Sequence, residues 1–267
     1  PDLLMDLQAV AEQAAIAAGT VALEGYRGVL EITSKGGTDI VTQYDHAAEA
    51  AALGILRAHF PNHSFLGEES GLSSNQGESA DFVWMVDPID GTHNYANQLP
   101  FWCVSVAVAQ QSTGQVLAGV IYDPLHNELF TARKGAGATL NGKPIHTTTK
   151  TNIADAIVAY DIGHTPDISH RMVELIAWVE PHVAKVRHLG SAALSLTYVA
   201  VGRLDAYYHL SLQPWDVAAA IILIEEAGGK TTDWFGAPRL ASAGSAVASG
   251  ENLHASLLDL LSMRENS

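Results

Sequence analysis

Trp84-Met85-Val86-Asp87-Pro88-Ile89-Asp90-Gly91-Thr92-His93-Asn94-Tyr95 is the stretch from which the rest of the chain can be read. The apolar run from Phe82 to Val86 predicts a buried strand. Pro88 fixes its own φ and biases Asp87 away from helical geometry, so the strand is expected to stop there. Gly91 permits a tight bend, and Thr92 and Asn94 are suitable caps for a short helix after it. The strand would then present Asp87 and Asp90 beside the N–H groups of a starting helix. Carboxylates so placed can hold a hard divalent cation such as Mg2+ through oxygen, and the N–H groups attract a phosphate. Asp-Pro and Asp-Gly are also ordinary turn dipeptides, so further acids must decide.

Working outward, the composition bounds the class. The 267 residues are 48% hydrophobic and 16% charged, which fits one large well-buried domain or two smaller ones sharing a core. A net charge of −15, from 14 Lys+Arg against 29 Asp+Glu, repels nucleic acid, and no nucleic-acid partner is expected. An anionic substrate would need local cations from metal or Lys, although surface acidity also serves solubility. The single cysteine, Cys103, lies in the apolar run Phe101 to Ala109 and is expected to pack as a small core residue. No disulfide within the chain is possible, which fits a reducing, cytoplasmic setting. No stretch approaches about 20 uninterrupted apolar residues, so no membrane span is expected. The start lacks the residue order of a signal peptide.

Before the central stretch, residues 2–26 have helical spacing, with Leu3, Leu7, Val10, Ala14, Ala17 and Val21 on one stripe. Residues 29–42 read as a hairpin bent at Lys35-Gly36-Gly37, and Asp45 opens a helix to His59 with Ala48, Ala52, Ile55 and Leu56 inward. A short strand, His63 to Leu66, leads to Gly67-Glu68-Glu69-Ser70-Gly71, and residues 72–80 read as a surface loop. After it, strands are expected at 101–110, 115–122 and 127–132 as an antiparallel meander, with Asn141-Gly142 favouring a type I′ turn. The polar run Thr147 to Thr151 marks a boundary: 1–147 forms a helix pair on an antiparallel sheet, and 148–267 an α/β part, the two making one compact unit. In the second part strands are expected near 155–160, 184–188, 204–209 and 244–248, and helices at 168–179, 191–201, 215–227 and 252–263.

Three further acids matter. Glu68 and Glu69 follow a strand between glycines, which suits either a site or a plain surface turn. Asp216 follows Pro214-Trp215 at the start of a strongly apolar helix, where an acid meets the positive helix end or faces a partly buried site that demands a partner. Glu68, Asp87, Asp90 and Asp216 come from three distant segments, each at an element end. Converging without cations, they would repel; divalent metals resolve the conflict through oxygen ligands. None of the 12 His shows a zinc-type pairing.

Gly67-Glu68-Glu69-Ser70, Asp87-Pro88-Ile89-Asp90-Gly91-Thr92, and Trp215-Asp216 followed by Glu226-Ala227-Gly228-Gly229 resemble the motifs of the inositol monophosphatase family, part of the magnesium-dependent, lithium-sensitive phosphatases that include fructose-1,6-bisphosphatase. The resemblance spans nearly the whole chain, including Tyr122-Asp123-Pro124, Gly190-Ser191-Ala192-Ala193 and Asp205-Ala206-Tyr207-Tyr208. It implies a five-layer α/β/α/β/α sandwich, a homodimer, and hydrolysis of a small phosphate monoester with two or three Mg2+ ions per site. By position it implies that Glu68, Asp87 and the Ile89 carbonyl hold a first ion, that Asp87, Asp90 and Asp216 hold a second, and that Glu69 reaches a third through water. It implies that Thr92, assisted by Asp45 and with Glu68, activates the attacking water. Gly91 and Thr92 would grip the phosphate, while Gly190, Ser191, Ala192, His209 and Asp216 line the substrate side.

Two positions depart from the family pattern. His93 stands where the family usually has Thr, and His209 where many members have a Glu that hydrogen-bonds inositol hydroxyls. A His and an acceptor-only carboxylate are not equivalent toward a polyol, so a changed alcohol preference is expected. A protonated His209 would favour a second phosphate, as in a bisphosphate. The competing readings are fructose-1,6-bisphosphatase, histidinol-phosphatase or nucleotide 3′-phosphatase activity, and a non-catalytic protein-binding role in transcription, which some bacterial relatives have.

Overall fold

The computed structural model describes residues 2–74 and 81–265. Helix α1 (Leu3–Gly25) starts at Asp2, whose carboxylate accepts from the Leu4 N–H. Its buried stripe is Leu7, Val10, Ala11, Ala14, Ala15, Ala18 and Ala22, while Leu3, expected inside, is 46% exposed. The small alanines let α1 approach its neighbours closely. A hairpin of β1 (Ile32–Gly36) and β2 (Asp39–Thr42) follows and forms a separate two-stranded sheet. Helix α2 (Gln43–His59) begins two residues before the expected Asp45, because Thr42 and Asp45 form a reciprocal capping box. Ala48, Ala52 and Leu56 are buried as expected, and Ile55 is half-buried.

Next come β3 (Ser64–Gly67), β4 (Gly71–Ser73) and β5 (Phe82–Asp90), then the short helix α3 (Thr92–Ala96). Residues 72 and 73, expected in a loop, pair with β3, and residues 75–80 of that loop lie outside the described residues. Strand β5 does not stop at Asp87. It continues to Asp90 through a register shift against its neighbour, and such an irregularity accommodates the N–H that Pro88 lacks. Strands β6 (Cys103–Gln110), β7 (Gln115–Asp123), β8 (Glu128–Arg133), β9 (Ala138–Leu140) and β10 (Lys143–Pro144) complete a meander. Asn141 and Gly142 turn it at φ of 48° and 75°, the signs a type I′ turn demands. The resulting eight-stranded sheet has the order β10-β9-β8-β7-β6-β5-β3-β4, antiparallel except for β3 beside β5.

The second half runs β11 (Ile157–Tyr160), α4 (Pro166–Val179), β12 (Lys185–His188), α5 (Ala192–Ala200), β13 (Ala206–Leu212), α6 (Pro214–Glu226), β14 (Gly229–Thr232), β15 (Gly244–Gly250) and α7 (His254–Glu265). Strand β14 was not anticipated: Gly229-Lys230-Thr231-Thr232 is too short and too polar for an alternation pattern, and its pairing with β15 decides it. These strands form a five-stranded sheet of order β12-β11-β13-β15-β14.

Three apolar clusters bind five layers. One joins α1 and α2 to the outer face of the eight-stranded sheet. A second holds α5 and α6 between the two sheets, and a third packs α4 and α7 on the far face of the smaller sheet. Helix α6 buries every residue from Val217 to Ile224, which a helix between two sheets requires. Each Ile or Leu buried there contributes about 1.5–3 kcal/mol. Gly119 in β7 permits this contact, since a Cβ there would lie 2.8 Å from the Cα of Ala219. The sandwich therefore has the layering that the family resemblance implies.

Candidate active site

The end of β5 and the first turn of α6 supply one acidic cluster, and the residues after β3, the first turn of α3 and the turn before α5 surround it. Asp87, Asp90 and Asp216 each place a carboxylate oxygen within 4.8 Å of the others. Asp87 and Asp90 are 2% and 8% exposed. Asp87 accepts from the Ile89 N–H at 3.1 Å, which bends the chain back toward Asp90. Asp216 caps α6 by accepting the Gln213 N–H at 2.8 Å, so it sits at the positive helix end as its sequence context implied.

Burial pushes the Asp87 carboxyl well above the usual range, and the charges of Glu68, Asp90 and Asp216 push it further. Burial and Asp90 do the same to Asp216. Burial raises Asp90 to about 6 against the opposing hydrogen bond from Ser191. These three carboxylates are all-oxygen, hard donors close enough to share a cation. That donor set fits Mg2+ and does not fit a soft metal.

Glu68 and Glu69 lie beside this trio, turned toward a different partner. Lys35 Nζ donates to Glu68 Oε1 at 2.9 Å and Glu69 Oε1 at 3.0 Å. Burial works against the Lys35 charge, but the two glutamates outweigh it and hold the ammonium above its ordinary value. The sequence showed Lys35 as the start of a bend and, by its spacing to Asp45, as part of the family resemblance. Behind them, buried Glu49 accepts the Glu69 N–H at 2.9 Å.

Thr92 Oγ1 lies 3.2 Å from Asp45 Oδ1 and 3.1 Å from the Ile89 carbonyl oxygen. Thr92 and Asn94, expected as caps of α3, do not cap it. The N-cap is Gly91, at φ 97°, and Asn94 is buried, donating to the Phe101 and Leu189 carbonyls at 2.7 Å. A Cβ on Gly91 would meet the Gly190 carbonyl at 3.0 Å, so only glycine lets the turn before α5 close on the site. That turn serves the acids directly: Ser191 Oγ donates to Asp90 Oδ2, and the Ala193 N–H donates to the same oxygen at 2.8 Å. Ala192 opens the same helix turn.

Asp161 was missed. It is 9% exposed, accepts from the Gly190 N–H at 2.9 Å and from Tyr207 Oη at 3.0 Å, and burial raises it to about 6. Nothing in Tyr160-Asp161-Ile162-Gly163 distinguishes it before the strands are paired. His209 is 2% exposed, and burial holds its imidazole down at about 4, with His164 adding to the effect. Its Nδ1 accepts the Ser211 N–H at 3.0 Å, so the ring proton of the neutral form sits on Nε2. Burial therefore works against the protonated form of His209 on which attraction of a second phosphate depends. Cys103 is buried with its thiol pushed well up, as its apolar run implied.

The model of the inositol monophosphatase family matches residues 4–264. The chain belongs to that family. Among family relatives, an inositol-1-monophosphatase of Mesorhizobium japonicum is 38% identical over 250 residues, covering 92% of each chain. A protein of Salmonella typhimurium named Nus factor SuhB is 38% identical over 242 residues, covering 90% of this chain and 89% of its own. The crystal structure of extragenic suppressor protein suhB from Bartonella henselae superposes with a TM-score of 0.88 at 35% identity, covering 95% of this chain and 97% of that one. Family membership supports a phosphatase acting on phosphorylated small molecules. Among the described residues no helix is long and apolar enough to cross a membrane.

Proposed function

We propose that the chain is a Mg2+-dependent phosphomonoesterase of the inositol monophosphatase type, releasing inorganic phosphate from a small phosphorylated alcohol. The observation that carries this reading is the convergence of Asp87, Asp90 and Asp216 within 4.8 Å at the ends of two elements 126 positions apart (216 − 90). Asp87, Asp90 and Asp216 would hold one ion; Glu68, Asp87 and the Ile89 carbonyl another, once Lys35 leaves Glu68; Glu69 would support a third through water. Bound there, the metal supplies charge neutralisation for the phosphate oxygens and a water acidic enough to attack.

The chain's own residues orient that attack. Asp45 draws the Thr92 proton toward its carboxylate, leaving the Thr92 lone pairs to accept from the attacking water. Thr42 holds Asp45 in place by donating its N–H at 2.8 Å and its hydroxyl at 2.5 Å to Oδ2. The amides of the first turn of α3, which lack partners within the helix, point a positive helix end at the phosphate. Phosphoryl transfer needs mainly such positioning and neutralisation. On the alcohol side, a neutral His209 carries an Nε2 N–H, so this position donates where a glutamate would accept. A donor there suits acceptor atoms of the substrate, while an uncharged ring gives a second phosphate no ionic attraction.

A phosphate-release panel of inositol, sugar, histidinol and nucleotide esters, with Mg2+ and with or without lithium, tests the reading. Asp90→Asn should lose about 100-fold or more of the rate, as when a central electrostatic group is removed; undiminished turnover refutes it. A second reading rests on the relatives named Nus factor: contact with the transcription machinery through protein surfaces, which a net charge of −15 permits while opposing nucleic acid. Full complementation of a deletion strain by Asp90→Asn would favour it. We further propose a cytoplasmic homodimer, to be checked by light scattering.

A further inference from the structure

The β1–β2 hairpin is anchored at its buried end by Val41 and Thr42 and brings its tip against Glu68 and Glu69. Among the described residues it pairs with no other strand, and all of β1 is exposed. Its base is tied by the Gln43 side chain to the Glu31 N–H and the Val29 carbonyl. Its tip has three neighbours. Lys35 reaches Glu68 and Glu69. A Cβ on Gly37 would lie 3.7 Å from the His164 carbonyl oxygen, across the cleft in the second half of the chain. The third neighbour is His93, whose Nε2 lies 2.5 Å from the Thr38 carbonyl oxygen. A carbonyl only accepts, so the ring donates. His93 is on α3, directly after the proposed phosphate-gripping turn, so it fastens the hairpin to that turn.

We infer that His93 is a positioning residue that latches the hairpin with Lys35 on Glu68 and Glu69, so that a metal at those glutamates competes with the latched ammonium for the same carboxylate charge. The inference rests on the metal reading above. Lys35 takes one oxygen of each glutamate and offsets their charge, so a cation binds more tightly in the fraction of molecules whose ammonium has left, and apparent affinity follows that fraction. Whatever stabilises the latched state lowers Mg2+ affinity by the same factor.

Two measurements on the full chain test this. Hydrogen exchange on the metal-free protein should show faster exchange across residues 33–41 in His93→Ala, with His93→Gln, which keeps a donor, restoring protection. Calorimetric Mg2+ titration should show His93→Ala binding about two- to tenfold tighter, the scale of one hydrogen bond's net worth. In a Lys35→Met background the same change should add nothing. Unchanged exchange in His93→Ala overturns the latch. Unchanged or weaker Mg2+ affinity, or a full gain persisting without Lys35, overturns the competition. Wild-type protein that binds no Mg2+ at millimolar concentration sinks the metal reading instead, and the exchange result still decides the latch.

Discussion

Ser191 Oγ donates to Oδ2 of Asp90, so a residue of the second half of the chain holds an acid presented by the first. The Ala193 N–H adds a second donor to the same oxygen. Both favour the charged carboxylate, against the burial that raises it. Removing the hydroxyl should therefore weaken the site without touching any carboxylate.

Ser191→Ala is expected to reduce Mg2+ affinity by about tenfold, the value of a hydrogen bond to a charged group. Ser191→Thr should retain most of it. Isothermal titration calorimetry decides; wild-type affinity in Ser191→Ala would deny the bond its role.

Thr92→Val keeps the shape of the side chain and loses the hydroxyl that joins Asp45 to the Ile89 carbonyl. Turnover should fall by about 100-fold, the usual share of a proton-handling group, while Mg2+ affinity holds within about threefold. Thr92→Ser should recover most of the rate. Equal kcat for wild type and Thr92→Val would remove Thr92 from the reaction.

The acids also set a pH dependence. Asp90 and Asp161 are raised to about 6 in the folded chain, chiefly by burial. A raised carboxyl binds its proton more tightly when folded. Its stabilisation is complete below the unfolded value near 4 and is lost as pH rises through about 6. The metal-free protein should therefore carry this penalty at pH 7.5, and Mg2+, which compensates the charged acids, should raise Tm more at pH 7.5 than at pH 5. His209 and His254, both held down at about 4 by burial, act with the opposite sign as pH falls below 6.5. They are common to both metal states, so the difference in Tm isolates the acids. Thermal melts with Mg2+ and with chelator test this, and a metal increment that is flat with pH would contradict it.

His209→Glu turns a donor toward the alcohol into an acceptor. The ratio of kcat/KM between an inositol monophosphate and a plain alkyl or sugar monophosphate should shift toward inositol by about tenfold, on the order of one hydrogen-bond mismatch. An unchanged ratio across the ester panel would show that this position does not select the alcohol.

Much of the framework was legible because its signals are local. Asn141-Gly142 asks for positive φ at two successive residues and receives it. The apolar run after Asp216 has no polar face, so only a helix covered on both sides can hold it. Where local signals misled, a tertiary contact won. Pro88 ends most strands, yet β5 passes through it because a register shift against β6 removes the need for its N–H. Asn94 has the chemistry of a cap, but two carbonyls, from Phe101 and Leu189, claim its amide. Glu49 and Asp161 carry no motif and Lys35 only its spacing to Asp45, and each acquires its partners only when distant segments pack.

Taken by itself, the order of residues determined most of the helices and the longer strands, which acids stand at their ends, and the family to which those motifs point. Periodicity, turn chemistry and capping act over a few residues, and a chain read in one dimension records them. Tertiary structure alone decided that Ser191 grips Asp90, that Lys35 sits on Glu68 and Glu69, and that His209 is too desolvated to carry charge. Electrostatic energies depend on separation and burial in space, and those are set by how two sheets close on α5 and α6.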